Sequence, residues 1–310
     1  MRILLTGASG FVGSHVLRRC LERGFSVAAL LRPGGDRRRL REAGGAVVEI
    51  DGDLGAVEAA RPAIEEFAPE VVLHLAWDGV SNTLRNDPRQ LRHNPAAALA
   101  LVDAAATSGA RAWIGLGSQA EYGRVEGRID ERQATHPTSL YGIAKLATGL
   151  ASGVRCAEHG LRFAWLRLFS TYGPDDNPGW LIPSVAEELL AGRTPRLTAG
   201  TQRWDYLYVG DVADALVAAA EREAVAGVYN LGSGEPRTVR SIVEAVRDRA
   251  APGQALAFGA VPFRPDQVMH LEADTTRLRR DAAWQPRVSF DAGISETVGW
   301  LRERRARSIG

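Results

Sequence analysis

The 310-residue chain contains only two cysteines and two methionines, and its net charge is close to zero, at +1. Cys20 and Cys156 form no disulfide framework and match no metal-ligand spacing, so we expect no metal and a reducing, cytoplasmic location. No basic block is interleaved with aromatic residues, which argues against nucleic acid as a partner. No apolar run reaches membrane length, and Met1 leads directly into an apolar strand, so we expect neither a membrane span nor a signal peptide.

Lysine is the scarcest charged residue, because 37 of the 38 basic residues are arginine and the only lysine is Lys145. It follows Tyr141 by four residues, which places both side chains on one face of a helix. A nearby ammonium favours the phenolate and lowers the pKa of a tyrosine from its usual value of about 10. The spacing therefore predicts a proton-transfer pair; the alternative is an ordinary helical pair, since Tyr-x-x-x-Lys arises often by chance.

A glycine-rich turn follows the first apolar run of the chain. The run 2–5 predicts a strand, a helix follows to about Arg23, and residues 26–31 predict a second strand. Strand, glycine turn, helix and strand form a dinucleotide-binding unit, in which the helix N-terminus faces the phosphates. The turn supplies five expected cofactor contacts: Gly7, Ser9, Gly10, Phe11 and Gly13.

The end of the second strand indicates which dinucleotide binds. NAD-binding proteins usually place a carboxylate there for the ribose hydroxyls. This chain has Leu31 and Arg32, and its next carboxylate is Asp36. A carboxylate would repel a 2′-phosphate and an arginine would bind it, so we expect NADP(H), with NAD as the alternative. Arg32 could instead be an ordinary surface residue.

Further candidate residues follow later strands. Asp53 and Leu54 come just after a predicted third strand (46–50), where a carboxylate can accept the adenine amino group. Leu75 and Ala76 end the fourth strand, and Ser118 follows the fifth (112–116). Ligands of open parallel sheets bind at these carboxyl ends.

Strands and helices alternate through the first half, which predicts a doubly wound, Rossmann-type parallel sheet in an α/β fold. We assign residues 1–170 to this domain, with 205–230 returning to it. Residues 171–204 and 231–310 are expected to form a smaller mixed α/β lobe, with the substrate in the cleft between them.

Taken together, the motifs resemble the extended short-chain dehydrogenase/reductases, in the NAD(P)-dependent nucleotide-sugar epimerase/dehydratase branch. They occur in the family's order over nearly the whole chain. The matching residues are Thr6-Gly7-x-x-Gly10-Phe11-x-Gly13, Asp53-Leu54, His74-Leu75-Ala76, Asn94, Ser118 with Tyr122-Gly123, Pro137-x-Ser139-x-Tyr141-Gly142-x-x-Lys145, Arg167-Leu168-Phe169 with Tyr172-Gly173-Pro174, Asp205-Tyr206 and Tyr229-Asn230-Leu231-Gly232.

The resemblance implies roles for individual residues. Tyr141 would be the catalytic acid/base, Lys145 would lower its pKa and hold the nicotinamide ribose, and Ser118 would bind the sugar oxygen at carbon 4. Asn94, a supporting residue on its helix, would be among the cofactor contacts. The resemblance also implies a nucleotide-sugar substrate and a homodimer. The residues expected to contact substrate are Trp77, Ser118, Gln119, Asn177, Arg203 and Arg264.

Departures from the family's patterns distinguish its activities. Sugar-nucleotide 4,6-dehydratases have an Asp-Glu pair where this chain has Gln119 and Ala120, neither of which does acid-base work. The 4-epimerases usually have the acidic residue that Leu31 replaces. Ser170 and Trp204 replace the family's common asparagine and arginine, which leaves those substrate contacts open. The string 117–123 looks most like 4-ketoreductases of nucleotide-linked 4-keto-6-deoxyhexoses; the alternatives are an NAD-dependent 4-epimerase and a non-catalytic dinucleotide-sensing regulator.

Overall fold

The computed structural model describes residues 1–264 and 267–309 and is built on a seven-stranded sheet. The strands of the chain are β1 Arg2–Thr6, β2 Ser26–Leu31, β3 Val47–Asp51, β4 Val71–His74, β5 Ala112–Ser118, β6 Gly127–Ile129, β7 Arg162–Leu168, β8 Ser170–Tyr172, β9 Arg196–Leu197, β10 Arg203–Trp204, β11 Tyr206–Tyr208, β12 Gly227–Leu231, β13 Arg237–Thr238, β14 Ala257–Phe258 and β15 His270–Ala273. The helices are α1 Phe11–Glu22, α2 Arg38–Ala43, α3 Val57–Phe67, α4 Arg89–Thr107, α5 Leu140–Glu158, α6 Leu181–Leu190, α7 Val209–Glu221, α8 Val239–Ala250, α9 Thr276–Ala282 and α10 Phe290–Ile309.

The central sheet has the order β12-β7-β5-β4-β1-β2-β3, and all neighbouring strands pair in parallel. Its inner strands are apolar on both faces because helices cover both. Ile3 and Leu5 face the core layer that contains α1 and α7, whereas Leu4 faces the layer of α3 and α4. This doubly wound, Rossmann-type sheet confirms the predicted α/β fold.

The register of the sheet brings the candidate residues together. Thr6 is paired with His74, which is paired with Gly115 on β5. The carboxyl ends of β1, β4 and β5 therefore meet at one edge, with the glycine turn after β1 and Ser118 as the last residue of β5. The neighbouring α4 and α5 pack against each other beside this edge.

Two strands differ from the expected arrangement. Residues 204–209 do not form one continuous strand, since β10 joins a four-stranded sheet of order β13-β10-β15-β6 and β11 pairs with β8. The chain changes sheet at Asp205, whose carboxylate accepts the backbone N–H groups of Ser233 at 2.6 Å and Gly234 at 2.9 Å. The strand β6 lies in the half assigned to the main domain, yet it pairs with β15.

The strand β12 pairs with β7 in the main sheet. A separate apolar cluster packs α6, α8 and α10 in the smaller lobe.

Among the helices of the described residues, none combines the length and hydropathy that crossing a membrane requires. The described residues also contain no group of three or more His, Cys, Asp or Glu side chains placed to hold a metal ion.

Candidate active site

The glycine turn is shaped by two close backbone approaches. Gly7 has a φ of +78°, and a Cβ added there would lie 2.7 Å from the backbone nitrogen of Ala76. A Cβ on Gly13 would overlap the carbonyl oxygen of Gly7. Only glycine permits this packing of α1 onto the turn, which leaves the first N–H groups of α1 directed at the cleft. This is a cradle that fits a pyrophosphate.

We expect Gly13→Ala to destabilise the protein by about 1–3 kcal/mol, the usual cost of overpacking, and to abolish dinucleotide binding. The matched control is Gly299→Ala, because Gly299 also lies in a helix but an added Cβ there meets nothing within 4 Å. That change is expected to stabilise by about 0.5–1 kcal/mol, through helix propensity. Urea unfolding and NADPH titration measure both; equal effects of the two substitutions would contradict the packing argument.

Thr6 fixes the backbone of Leu75 and Ala76, two of the expected cofactor contacts. Its hydroxyl oxygen accepts their N–H groups at 3.2 and 3.1 Å. It also lies 2.9 Å from Nδ1 of His74. Burial, and then the charge of Lys145, lowers the pKa of His74 to about 3, so the imidazole is neutral and Nδ1 accepts the hydroxyl proton. His74 thus orients the end of β4 and is not a proton-transfer group at neutral pH.

At the ends of β2 and β3, Arg32 is exposed and Leu31 is buried. Asp53 is also exposed and caps a 3-10 turn, since its Oδ1 accepts the N–H of Gly55 at 2.7 Å. A carboxylate has further acceptor positions, so this contact is compatible with a second hydrogen bond to a base. Leu54, the first residue of that turn, is half-buried.

The arginine run 37–39 is half-buried and makes ion pairs and hydrogen bonds within the protein. Arg37 binds Glu49 at 2.9 Å and Asp51 at 3.0 Å. Arg39 donates to the carbonyl oxygens of Ser9, at 3.0 Å, and of Asp175, at 2.8 Å. The run therefore ties the glycine turn to the loop after β8, a contact between segments far apart in the chain.

Ser118 lies at the start of a 3-10 turn over 119–121 that is organised by Glu121. Oε1 of this fully buried carboxylate accepts the N–H of Ser118 at 2.8 Å and that of the Trp165 indole at 2.9 Å. Oε2 accepts Nε of Arg167 at 2.7 Å, in an ion pair that is itself buried. The Ser118 hydroxyl accepts the N–H of Ala120 at 3.2 Å. Glu121 thus fixes the backbone position of Ser118.

Tyr141 faces Ser118, but its ionisation differs from the expectation. Burial raises the pKa of Tyr141, and a hydrogen bond with Ser118 and the charge of Arg85 offset this only in part. The Arg85 guanidinium lies 5.1 Å from the centre of the phenol ring, and the backbone N–H of Tyr141 donates to the Arg85 carbonyl at 2.8 Å. The nearest cation to the phenol is therefore Arg85, and the phenol is protonated at neutral pH.

Lys145 was expected to lower the pKa of Tyr141, yet its Nζ lies 6.0 Å from the centre of that ring. The ammonium donates to the carbonyl oxygen of Leu116 at 2.7 Å. Burial lowers the pKa of Lys145 to about 7, so its charge is itself partial at neutral pH. These two facts explain why Lys145 contributes little to the ionisation of the tyrosine.

Asn94 was expected among the cofactor contacts, and its geometry argues against this. Its Oδ1 accepts the N–H of Asp78 at 2.8 Å, and its Nδ2 donates to the carbonyl oxygens of Asp78 and Gln90. Both amide hydrogens and the buried carbonyl are used within the protein. Asn94 instead anchors the loop that follows β4, a supporting role for the site.

The expected substrate residues are spread over the cleft and the lobe. Trp77 is half-buried beside Tyr141, with ring centres 5.9 Å apart, and Gln119 is half-buried in the 3-10 turn. Asn177 is exposed in the loop after β8, and its N–H donates to Asp176 at 2.7 Å. Arg203 on β10 and Arg264 after β14 are exposed. Of the six expected residues, Trp77 and Ser118 thus lie at Tyr141 and Gln119 lies next to Ser118, whereas the other three lie in the segments assigned to the lobe.

Sequence reasoning did not single out four residues of the site: Arg85, Gln90, Glu121 and Arg167. Glu121 and Arg167 belong to two of the family motifs named above. Each is a charged residue on or next to an apolar strand, and that pattern could have indicated a buried ion pair. Gln90 is buried in the first turn of α4, where it accepts the indole N–H of Trp77 at 2.8 Å. Arg85 lies in an irregular loop and gave no pattern.

The chain is similar to known proteins over most of its length. The model of the NAD dependent epimerase/dehydratase family matches residues 3–232. The chain belongs to this family, whose members include nucleotide-sugar epimerases and dehydratases.

Individual relatives carry two activities. A dTDP-glucose 4,6-dehydratase of Streptomyces niveus is 29% identical, covering 99% of this chain and 94% of the relative. A UDP-glucose 4-epimerase of Azospirillum brasilense is also 29% identical, covering 100% and 94%. The crystal structure of the Thermus thermophilus UDP-glucose 4-epimerase in complex with NAD has a TM-score of 0.86 and 31% identity, covering 97% of this chain and 99% of that one.

Proposed function

We propose that the protein is an NADPH-dependent 4-ketoreductase acting on a nucleotide-linked 4-keto-6-deoxyhexose. The observation that carries this is the pair Gln119 and Ala120 beside Ser118 in the 3-10 turn. The first is an amide and the second a buried methyl group, and neither can remove or deliver the protons of a dehydration. Ser118, Tyr141 and Lys145 supply the proton and the oxyanion stabilisation that reduction of a ketone needs once a nicotinamide provides the hydride.

In the proposed reaction Tyr141 donates its phenolic proton to the oxygen at carbon 4 as that oxygen gains charge. A raised pKa keeps the phenol protonated at neutral pH, which is the form that a proton donor needs. Ser118 donates a hydrogen bond to the same oxygen, and Lys145 contributes positive charge to the cleft. Bound NADPH would supply the hydride, and the glycine turn would hold its pyrophosphate.

The preference for NADPH rests on the end of β2, where Arg32 is exposed and no carboxylate follows β2 directly. We expect Arg32→Glu to weaken NADPH binding about 10–100-fold, the worth of a charge-assisted hydrogen bond to phosphate, and to leave NADH binding almost unchanged. The control is Arg222→Glu, since Arg222 is exposed after α7, at the opposite edge of the sheet. Titration of both nucleotides checks this; equal losses for NADPH and NADH would contradict it.

A 4-epimerase is the second candidate, and the 31% identity to an epimerase that binds NAD favours it. Reduction requires stoichiometric consumption of NADPH with a 4-keto sugar nucleotide. Protein that is purified with bound NAD and interconverts two sugar nucleotides without added cofactor would instead be an epimerase. Intact NADPH binding without turnover across a panel of sugar nucleotides would favour the third candidate, a dinucleotide-sensing regulator.

We also infer that the substrate lies between the sheet edge and the smaller lobe, and that the chain forms a homodimer through α4 and α5. Apolar side chains on these helices are exposed: Leu91 by 40%, Ile143 by 39%, Leu150 by 64% and Val154 by 64%. Residues 143, 150 and 154 recur at helical spacing on one face of α5. Sedimentation equilibrium at twice the mass of the chain would support the homodimer.

A further inference from the structure

The ammonium of Lys145 has no carboxylate partner, although only 4% of the residue is exposed. Across residues 1–264 and 267–309 no Asp or Glu lies within ion-pair distance of its Nζ, and its hydrogen bond is to the Leu116 carbonyl. Glu121 is the carboxylate that acts on it electrostatically, but its oxygens already bind Ser118, Trp165 and Arg167. Buried lysines are normally paired, so another group must stabilise this charge.

The face of the Trp77 indole contacts the ammonium of Lys145 where a carboxylate would be expected. Nζ of Lys145 lies 3.8 Å from the centre of the Trp77 ring, and 5.8 Å from that of Trp165. Both lie within the distance at which an aromatic face attracts a cation, and tryptophan is the strongest such partner. The shorter contact is the dominant one, because this attraction weakens with distance.

Two further contacts fix the orientation of the Trp77 ring. Its indole N–H donates to Oε1 of Gln90 at 2.8 Å. Gln90 is 1% exposed and donates to the carbonyl oxygens of Gly79, at 2.6 Å, and Leu84, at 3.0 Å. On the other side the ring packs against Tyr141 at an interplanar angle of 79°. The loop after β4 is therefore built to hold the ring against the lysine.

We propose that Trp77 is a positioning residue whose ring face takes the place of a carboxylate and keeps Lys145 protonated and directed into the cleft. A carboxylate at this position would hold the ammonium more strongly, but it would also cancel the positive charge and repel an anionic dinucleotide. An indole attracts the ammonium and adds no net charge. The inference concerns the charge state of Lys145 and does not depend on which sugar carbonyl is reduced.

Four other charged or titratable groups face Lys145 from the surrounding elements. They are Tyr141 on the same helix, His74 on β4, Glu121 on the 3-10 turn and Arg167 on β7. His74 is neutral above a pKa of about 3, and Glu121 and Arg167 neutralise each other in their ion pair. Burial raises the pKa of Tyr141 above its ordinary value. A titration in the neutral range is therefore that of Lys145, and it can be followed without any turnover.

The single lysine makes this measurement direct. Protein labelled with ¹³C and ¹⁵N only in lysine gives the signals of one side chain, whose shifts are followed against pH in the cofactor-free full chain. We compare wild type with Trp77→Phe, which keeps an aromatic face, and Trp77→Leu, which keeps an apolar side chain without one. Trp300→Leu is the control, since Trp300 lies on α10 in the smaller lobe.

The pKa of Lys145 in Trp77→Leu is expected to fall by about one unit, a tenfold change in acid dissociation, because a desolvated cation–π contact of about that strength is lost. In Trp77→Phe the fall is expected to be smaller, because a weaker aromatic face remains, and Trp300→Leu is expected to stay close to wild type. An unchanged or higher pKa in Trp77→Leu, or an equal fall in Trp77→Phe, would overturn the proposal. If the Leu variant fails to fold, Trp77→Met makes the same comparison. Because the readout is a pKa, loss of the proposed reductase activity would not affect it.

Discussion

Tyr141→Phe is expected to lower turnover about a thousandfold, within the 10²–10⁴-fold range of general acid catalysis, while NADPH binding stays close to wild type. The substitution removes only the phenolic hydroxyl. The ring keeps its contacts with Trp77 and with the Arg85 guanidinium, so the shape of the cleft is preserved. Single-turnover reduction of a 4-keto sugar nucleotide measures the loss, and fluorescence titration with NADPH measures binding.

The matched control for this experiment is Tyr172→Phe. Tyr172 is also buried, and its hydroxyl donates to the carbonyl oxygen of Phe290 at 3.2 Å, within the lobe. Loss of that hydroxyl is expected to leave turnover almost unchanged. A Tyr141→Phe variant with a rate near that of wild type would show that another group supplies the proton.

Replacement of Glu121 is expected to have the largest effect on stability. Glu121→Leu leaves Arg167 buried without its partner, and breaking such a pair costs about 3–5 kcal/mol. It also removes the acceptor of the Ser118 N–H, so turnover should fall together with stability. The free energy of unfolding in urea, with an unchanged m-value, and kcat for the folded fraction are the measurements.

Two other variants separate the causes of that effect. Glu121→Gln keeps a carbonyl acceptor for Ser118 and Trp165 but loses the charge and the oxygen that accepts from Arg167, so it isolates the contribution of the ion pair. Glu58→Ala removes a pair of similar length, 2.7 Å to Arg61, on the protein surface, and no measurable change is expected. A Glu121→Leu variant as stable as Glu58→Ala would refute the view that Glu121 organises the serine turn.

The sheet and the cofactor turn could be predicted because their signals are local. The apolar run 26–31 is β2 at the expected bounds, and the need for glycine at positions 10 and 13 follows from contacts with Gly7 in the same βαβ unit. The four-residue spacing of Tyr141 and Lys145 likewise places both on α5. In each case the information lies within a few turns of the chain.

The features that sequence reasoning missed depend on partners far away in the chain. Arg38 and Arg39 turn inward to bind Asp175, which lies 137 and 136 positions later, and β6 joins the lobe through β15. The ionisation of Tyr141 was misjudged because i,i+4 spacing does not reveal how much water burial removes. Desolvation outweighs the nearby charges there, and only the packed structure shows it.

The burial of Lys145 also determines which reagents can label side chains on the surface of this protein. With the chain's one ε-amino group 4% exposed, amine-directed dyes, resins and cross-linkers find no lysine to capture on the folded surface. Mapping a subunit contact by lysine cross-linking would therefore give no signal even from a tight assembly. Reagents that join carboxylates or modify guanidinium groups are the appropriate choice, because acidic and arginine side chains are abundant along the whole chain.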